Sequence, residues 1–174
     1  MTTKQSSVLT NADAEPQVLN RSSEDGAKLR VKTGTLELAT GDLDAADTVE
    51  LVDLPTNAVV HSIQIANDDL DSDGSPTLVM DVGLYDITDA GALGAAKDDN
   101  VYASASTQLQ AAAGFTELAF SARNIDEAAQ QVFEDAGDTT DPAGVFRLVL
   151  TFDTGAATAA AGTLSYRVEY SVEA

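Results

Sequence analysis

Apolar and polar residues alternate with a period of two along most of this chain, and the clearest run lies between Thr48 and Ile87. Residues 48–53 place Val49 and Leu51 on one side of a pleat. Leu54-Pro55-Thr56-Asn57 then turns the chain, because proline holds φ and asparagine tolerates turn geometry. Residues 58–66 resume the alternation, with Val59, His61, Ile63 and Ile65 on one face and Val60, Ser62 and Gln64 on the other. After an acidic loop, residues 77–87 put Leu78, Met80, Val82 and Leu84 on a common face. Such runs bounded by Pro, Asn, Asp and Gly predict half-buried antiparallel strands, with the rest of the chain adding to the same sheet.

The flanking sequence extends the pattern. Residues 29–39 alternate, with Leu29, Val31 and Thr33 on one side and Leu36 and Leu38 following a Gly34 that marks a bulge. Residues 88–114 are rich in Gly, Ala and Asp and predict a long surface loop, with enough alternation for a strand at 101–109. A short strand is expected at 115–121. Residues 145–152 (VFRLVLTF) predict a central strand and 154–162 a small-residue hairpin loop. The last strand, 163–172, aligns Leu164, Tyr166, Val168, Tyr170 and Val172. One helix is expected at 124–135, where Asn124 and Glu127 have capping-box spacing. There Ile125, Ala128, Ala129, Val132 and Phe133 form a helical stripe, and Gly137 ends it. Eight or nine strands with one short helix and long connections predict an all-β, jelly-roll-like β-sandwich. Residues 1–27 are polar and weakly patterned and read as an extended N-terminal arm, leaving 28–174 as the sandwich domain.

Composition narrows the chemistry. The chain is 174 residues long with 44% hydrophobic residues but only 5% aromatics and no Trp, so the core is built mainly from Val, Leu, Ile and Ala. No apolar run is long enough to span a bilayer, and the N-terminus lacks the apolar stretch of a signal peptide. The absence of cysteine removes disulfides, thiol chemistry and Cys-based zinc sites.

Charge is distributed unevenly. Residues 1–32 carry five bases and four acids, whereas the remaining 142 carry four bases and 25 acids, a net −21. A body this acidic repels nucleic acid and anionic membranes, so neither is expected as a partner. Abundant Asp with scarce Lys suits work in high salt or the binding of divalent cations.

The sharpest local motif is Asp69-Leu70-Asp71-Ser72-Asp73-Gly74, which matches the first half of a calcium loop: alternate carboxylates, then a glycine for the turn. The twelfth position is Met80 rather than Glu, with Asp81 one step late, and strands flank the loop. An EF-hand is thereby excluded. A hairpin calcium site using Asp69, Asp71 and Asp73 stands against a plain solvated acidic turn, and structural calcium is the sole cofactor considered. Asp98-Asp99-Asn100 and residues 135–141 are weaker acidic candidates. His61, the single histidine, sits on a strand and reads as packed rather than catalytic. Without cysteine or a second histidine most nucleophile–base pairs cannot be assembled. Paired carboxylates for glycoside hydrolysis lack the aromatic platforms a sugar cleft uses. No enzyme is expected.

Several stretches together resemble small structural proteins of tailed viruses, whether of bacteria or archaea. These are LVDLPTNAVVHSIQI and DVGLYD, then RNIDEAAQQVFEDAG, the Asp141-Pro142 turn, LVLTFDT and TAAAGTLSYRVEY, spanning about residues 48–172. The resemblance implies a β-rich virion protein of the head decoration or cement type, located on the capsid surface. Its implied partners are the major capsid protein and copies of itself, as a homo-oligomer with a trimer favoured. It brings no catalytic residues. The acidic, lysine-poor body suits a virus of a marine or halophilic host. The competing reading is a calcium-dependent surface or host-binding module of the tail-fibre or adhesin type.

Overall fold

The alternating runs become eight strands, because β-branched and aliphatic residues at every second position bury one face of an extended chain and leave the other to water. In the computed structural model they are β1 (Leu29–Leu38), β2 (Thr48–Pro55), β3 (Ala58–Asn67), β4 (Val79–Ile87), β5 (Leu93–Ser106), β6 (Ala113–Glu117), β7 (Val145–Thr154) and β8 (Gly162–Val172). The structure describes residues 28–172 together with residues 5, 10, 11, 14–16, 18 and 19. The arm expected at 1–27 therefore lies largely outside the described residues.

The strands form two antiparallel four-stranded sheets, β1-β8-β3-β6 and β2-β7-β4-β5. Pairs β1–β8, β2–β7, β3–β6 and β4–β5 are those of one long hairpin folded at the β4–β5 connection. Rolling that hairpin adds the β3–β8 and β4–β7 pairs and splits it into two facing sheets. This is the strand order of a jelly roll, and the all-β sandwich expected from the alternation is the fold observed.

The roll revises the expected neighbours. β2, β3 and β4 do not hydrogen-bond to one another, since β3 lies in the first sheet and β2 and β4 in the second. Likewise β7 and β8 belong to different sheets, so 155–161 is a crossover between sheets and not a hairpin loop. Central strands are the most apolar: β7, between β2 and β4, buries Leu148, Leu150 and Phe152 completely. Opposite it β8 buries Leu164 and Val168 against Ile63 and Ile65 of β3. Leu78, Met80, Val82 and Leu84 share the core face as the pattern requires.

Two local expectations change. β1 pairs with β8 over ten residues without a register shift, so Gly34 marks no bulge. The bulge lies instead in β3, where the register with β8 shifts between Val60 and Ser62. His61 is the extra residue, and the inward face switches from Ala58 and Val60 to Ile63 and Ile65. Val59 and His61 thus do not share a face with Ile63.

The helix expected over 124–135 is broken into a 3-10 turn, Ile125–Glu127, and a single α-helical turn, α1 (Val132–Asp135). Gln131 between them is extended (φ −80°, ψ 157°) and bridges to Val59 at the edge of β3. Each short turn has its own carboxylate reaching back to the preceding N–H: Glu127 accepts from Asn124 and Glu134 from Gln131, both at 2.8 Å. Two caps in tandem favour two starts over one continuous helix. Ile125, separated from Val132, is 96% exposed. β5 is also longer than the strand expected at 101–109. Its Gly, Ala and Asp residues pair through the backbone at a sheet edge, with four register shifts against β4.

Candidate functional site

The acidic loop after β3 is the place where the sequence concentrates candidate ligands, and the fold gives its three aspartates different tasks. Asp71 is 1% exposed. Its Oδ2 accepts the backbone N–H groups of Thr77 (2.7 Å), Leu78 (3.0 Å) and Ala157 (3.0 Å), and its Oδ1 accepts that of Thr158 (2.9 Å). Burial alone would raise the pKa of this carboxyl, but the four donors outweigh it and hold the pKa at about 2. Asp71 is thereby a charged staple joining the loop before β4 to the crossover between β7 and β8.

Asp69 Oδ1 accepts from the Asp71 N–H at 3.2 Å, and Asp73 accepts from the Ser75 N–H and the Thr158 hydroxyl, both at 2.9 Å. The three carboxylates are thus directed at separate backbone and hydroxyl donors. Among the described residues no group of three His, Asp or Glu side chains is placed to share an ion. The same loops are stitched further by Ser72 N–H to Thr158 O and Ala160 N–H to Leu70 O, each 3.0 Å.

A second cluster takes only Asp135 from the acidic stretches singled out in the sequence. Arg123, Asp135 and Tyr102 meet where the segment after β6 crosses the open side of the sandwich. Arg123 Nη2 lies 3.1 Å from Asp135 Oδ1, with both side chains almost fully buried. The Tyr102 hydroxyl donates to Asp135 Oδ2 at 2.9 Å, and Arg123 also donates to the carbonyls of Val60 and Glu127. Burial dominates the Asp135 carboxyl and lifts its pKa to about 6, with Arg123 and the Tyr102 hydrogen bond pulling the other way. A cleft of about 340 Å³ beside the cluster is lined by Asp98, Asn100, Glu127 and Glu134 as well. The sequence signal was available: Arg123 is one of only four bases beyond residue 32, and an isolated base in so acidic a chain invites a buried partner.

The cluster contains no nucleophile beside a base. It pins α1 and the preceding turn across β5, a positioning role, since breaking a buried pair by removing one partner costs about 3–5 kcal/mol. His61 donates to or accepts from Ser171 Oγ at 2.8 Å on the outer face of the first sheet. Burial first, then repulsion from Arg123, lowers its pKa. It is a packed strand histidine. Asp98 caps a local turn by accepting the Asn100 N–H, and Asp138 pairs with Lys97. The acidic candidates thus serve loops rather than converging on a common point.

No protein-family model matches the chain, and no curated protein is similar to it. Solved structures are. A chain in the capsid of Ralstonia phage GP4 is 25% identical, with a TM-score of 0.59, over 86% of this chain and 88% of that one. A chain in the capsid asymmetric unit of cyanophage Pam1 is 21% identical, with a TM-score of 0.56, over 84% and 86% respectively.

Proposed function

We propose that this chain is a non-enzymatic virion structural protein of a tailed virus, a head decoration or cement protein that binds and stabilises the capsid shell from its outer surface. The observation that carries the reading is the likeness to a chain of the Ralstonia phage GP4 capsid, which runs through nearly the whole of both chains. It agrees with the resemblance carried by residues 48–172. The design of the body supports it too: charge goes into loop staples such as Asp71, and the jelly roll is held together by pairs between strands far apart in the chain.

In this reading the partners are the major capsid protein and further copies of the chain. The near-neutral residues 1–27, with Lys28, Arg30 and Lys32, lie along the shell, and the acidic loops face solvent. The test is a binding assay on heads stripped of the protein. The full chain is expected to restore saturating occupancy and resistance to heating, and the chain lacking residues 1–27 to fold but not to bind. Failure of the full chain to bind heads overturns the decoration role, and undiminished occupancy by the truncated chain overturns the role of the arm.

A further inference from the structure

Each sheet has two edge strands: β1 and β6 in the first, β2 and β5 in the second. Three of them are poor templates for a further strand. β2 carries Pro55 and a register shift, β5 has four register shifts, and β6 is five residues long with a shift of its own. β1 is regular: ten residues, no proline, in unbroken register with β8. Alternate residues of an antiparallel strand turn their N–H and C=O groups away from the partner, so β1 offers a row of them along its other side. No described strand takes them up.

Charge changes sign along the same strand. Arg30 and Lys32 near its start stand opposite the core residues Tyr170 and Val168 of β8, so both are on the side facing the second sheet. Lys32 Nζ donates to the Asp53 carbonyl and lies 5.8 Å from the centre of the Tyr170 ring. Arg30 is exposed, and no described carboxylate forms an ion pair with it. The other end is acidic. There a cleft of about 490 Å³ between β1 and β2 is lined by Leu36, Glu37, Leu38, Asp42, Asp47 and Glu50, and by no base. Leu36 and Leu38 are on the same side of β1 as Arg30 and Lys32.

From this open edge and its polarity we infer that two copies of the chain join β1 to β1 about a two-fold axis, making one continuous eight-stranded sheet. Centred on Thr33, the antiparallel pairing sets Arg30 opposite Leu36 of the second copy. Centred on Gly34, it sets Arg30 opposite Leu38 of the second copy. Residues directly opposite one another lie on the same side of a sheet, so in both registers Arg30 enters the acidic cleft of the other copy. The two-fold makes the exchange reciprocal, which is what selects a second copy as the occupant: it carries the complementary polarity by symmetry. A parallel pairing sets base beside base and acid beside acid. Nine residues of each strand overlap. Such a contact stays below about 1,200 Å², the range of weak and reversible association. The acidic bodies repel until salt of about 0.5 M shortens the Debye length to about 4 Å, while the partly buried pairs at the joined edges are screened less.

The inference concerns the isolated protein and stands or falls apart from head binding. In the dimer Arg30 serves the neighbouring copy, and the shell is left to Lys28 and residues 1–27. A two-fold pairing also gives a dimer where the resemblance implies a trimer. The test is sedimentation of the full chain in about 0.5 M NaCl, from about 1 μM to about 1 mM, with amide hydrogen exchange followed at both ends of the range. A monomer–dimer equilibrium is expected, and the dimer is expected to add protection at alternate amides of β1, those turned away from β8. Arg30→Glu is expected to weaken the dimer at least tenfold while keeping the wild-type circular dichroism. Phe115→Asp, at an exposed position on the outer face of the same sheet, is expected to leave it unchanged. A monomer at every concentration overturns the inference, and so does a trimer. A dimer that adds no protection to β1, or one that Arg30→Glu leaves as tight, overturns it as well. So does full protection of the same β1 amides in the dilute monomer, the outcome in which residues 1–27 cover the edge.

Discussion

The ring of Tyr166 occupies the space that a side chain on Gly34 would fill: a Cβ at position 34 would stand 2.4 Å from the Tyr166 hydroxyl oxygen. From that position the hydroxyl donates to the Leu51 carbonyl at 3.1 Å, so β8 of the first sheet is tied to β2 of the second. Gly34 is therefore a packing requirement and not a bulge.

Gly83 shows the same relation with a harder neighbour. There a Cβ would meet the Asp98 carbonyl oxygen and the Asp99 carbonyl carbon at 2.2 Å, backbone atoms of β5. A tyrosine ring can swing aside, whereas a paired strand has to shift. Gly34→Ala is expected to lose about 1–2 kcal/mol, the hydrogen bond plus local overpacking. Gly83→Ala is expected to lose more. Urea unfolding midpoints of the two variants check the order.

The staple at Asp71 predicts a stability effect that does not depend on calcium. Asp71→Asn keeps the shape but replaces one acceptor oxygen with a donor facing backbone N–H groups. A loss of about 2–3 kcal/mol is expected, because buried donors are left unsatisfied. Asp69→Asn and Asp73→Asn, each giving up weaker or exposed contacts, are expected to cost less than about 1 kcal/mol. Thermal melts with millimolar calcium and with chelator are expected to coincide for the wild type. A rise in melting temperature with calcium that is lost in all three variants would instead identify the loop as a metal site.

Asp71 and Asp135 shape the pH dependence in opposite senses. The folded pKa of Asp71, about 2, lies below the ordinary 3.8. Its contribution is present above pH 4 and lost as the pH falls through 2. That of Asp135, about 6, lies above 3.8, so the fold holds a proton that the unfolded chain has released. Its contribution is greatest below pH 4 and is lost as the pH rises through 6. The gap in stability between wild type and Asp135→Asn is therefore expected to narrow from pH 4 to pH 7. The gap between wild type and Asp71→Asn should close below pH 4. Denaturant titrations across pH 2–8 measure both.

How much of this was legible beforehand follows from the range of the forces involved. Alternation is local, because successive side chains of an extended chain point to opposite faces. The core faces of β4 and β8, with Leu78 through Leu84 and Leu164 through Val172, could therefore be read directly, as could the all-β class. The capping signals at Asn124 and Glu127 were also local and real. They started a turn that Gln131 ended, because its bridge to Val59 depends on a strand more than seventy residues away.

Sheet membership was decided only by the tertiary structure. Backbone hydrogen bonds between strands are nearly blind to residue identity, so nothing in β2, β3 and β4 announces that they alternate between sheets. The one-residue bulge at His61, the pairing of β5 and the burial of Arg123 with Asp135 belong to the same class. Each depends on a partner brought close by the roll of the whole hairpin. Composition determined how acidic this protein is; the fold determined which of those charges were buried in pairs and which were left to water.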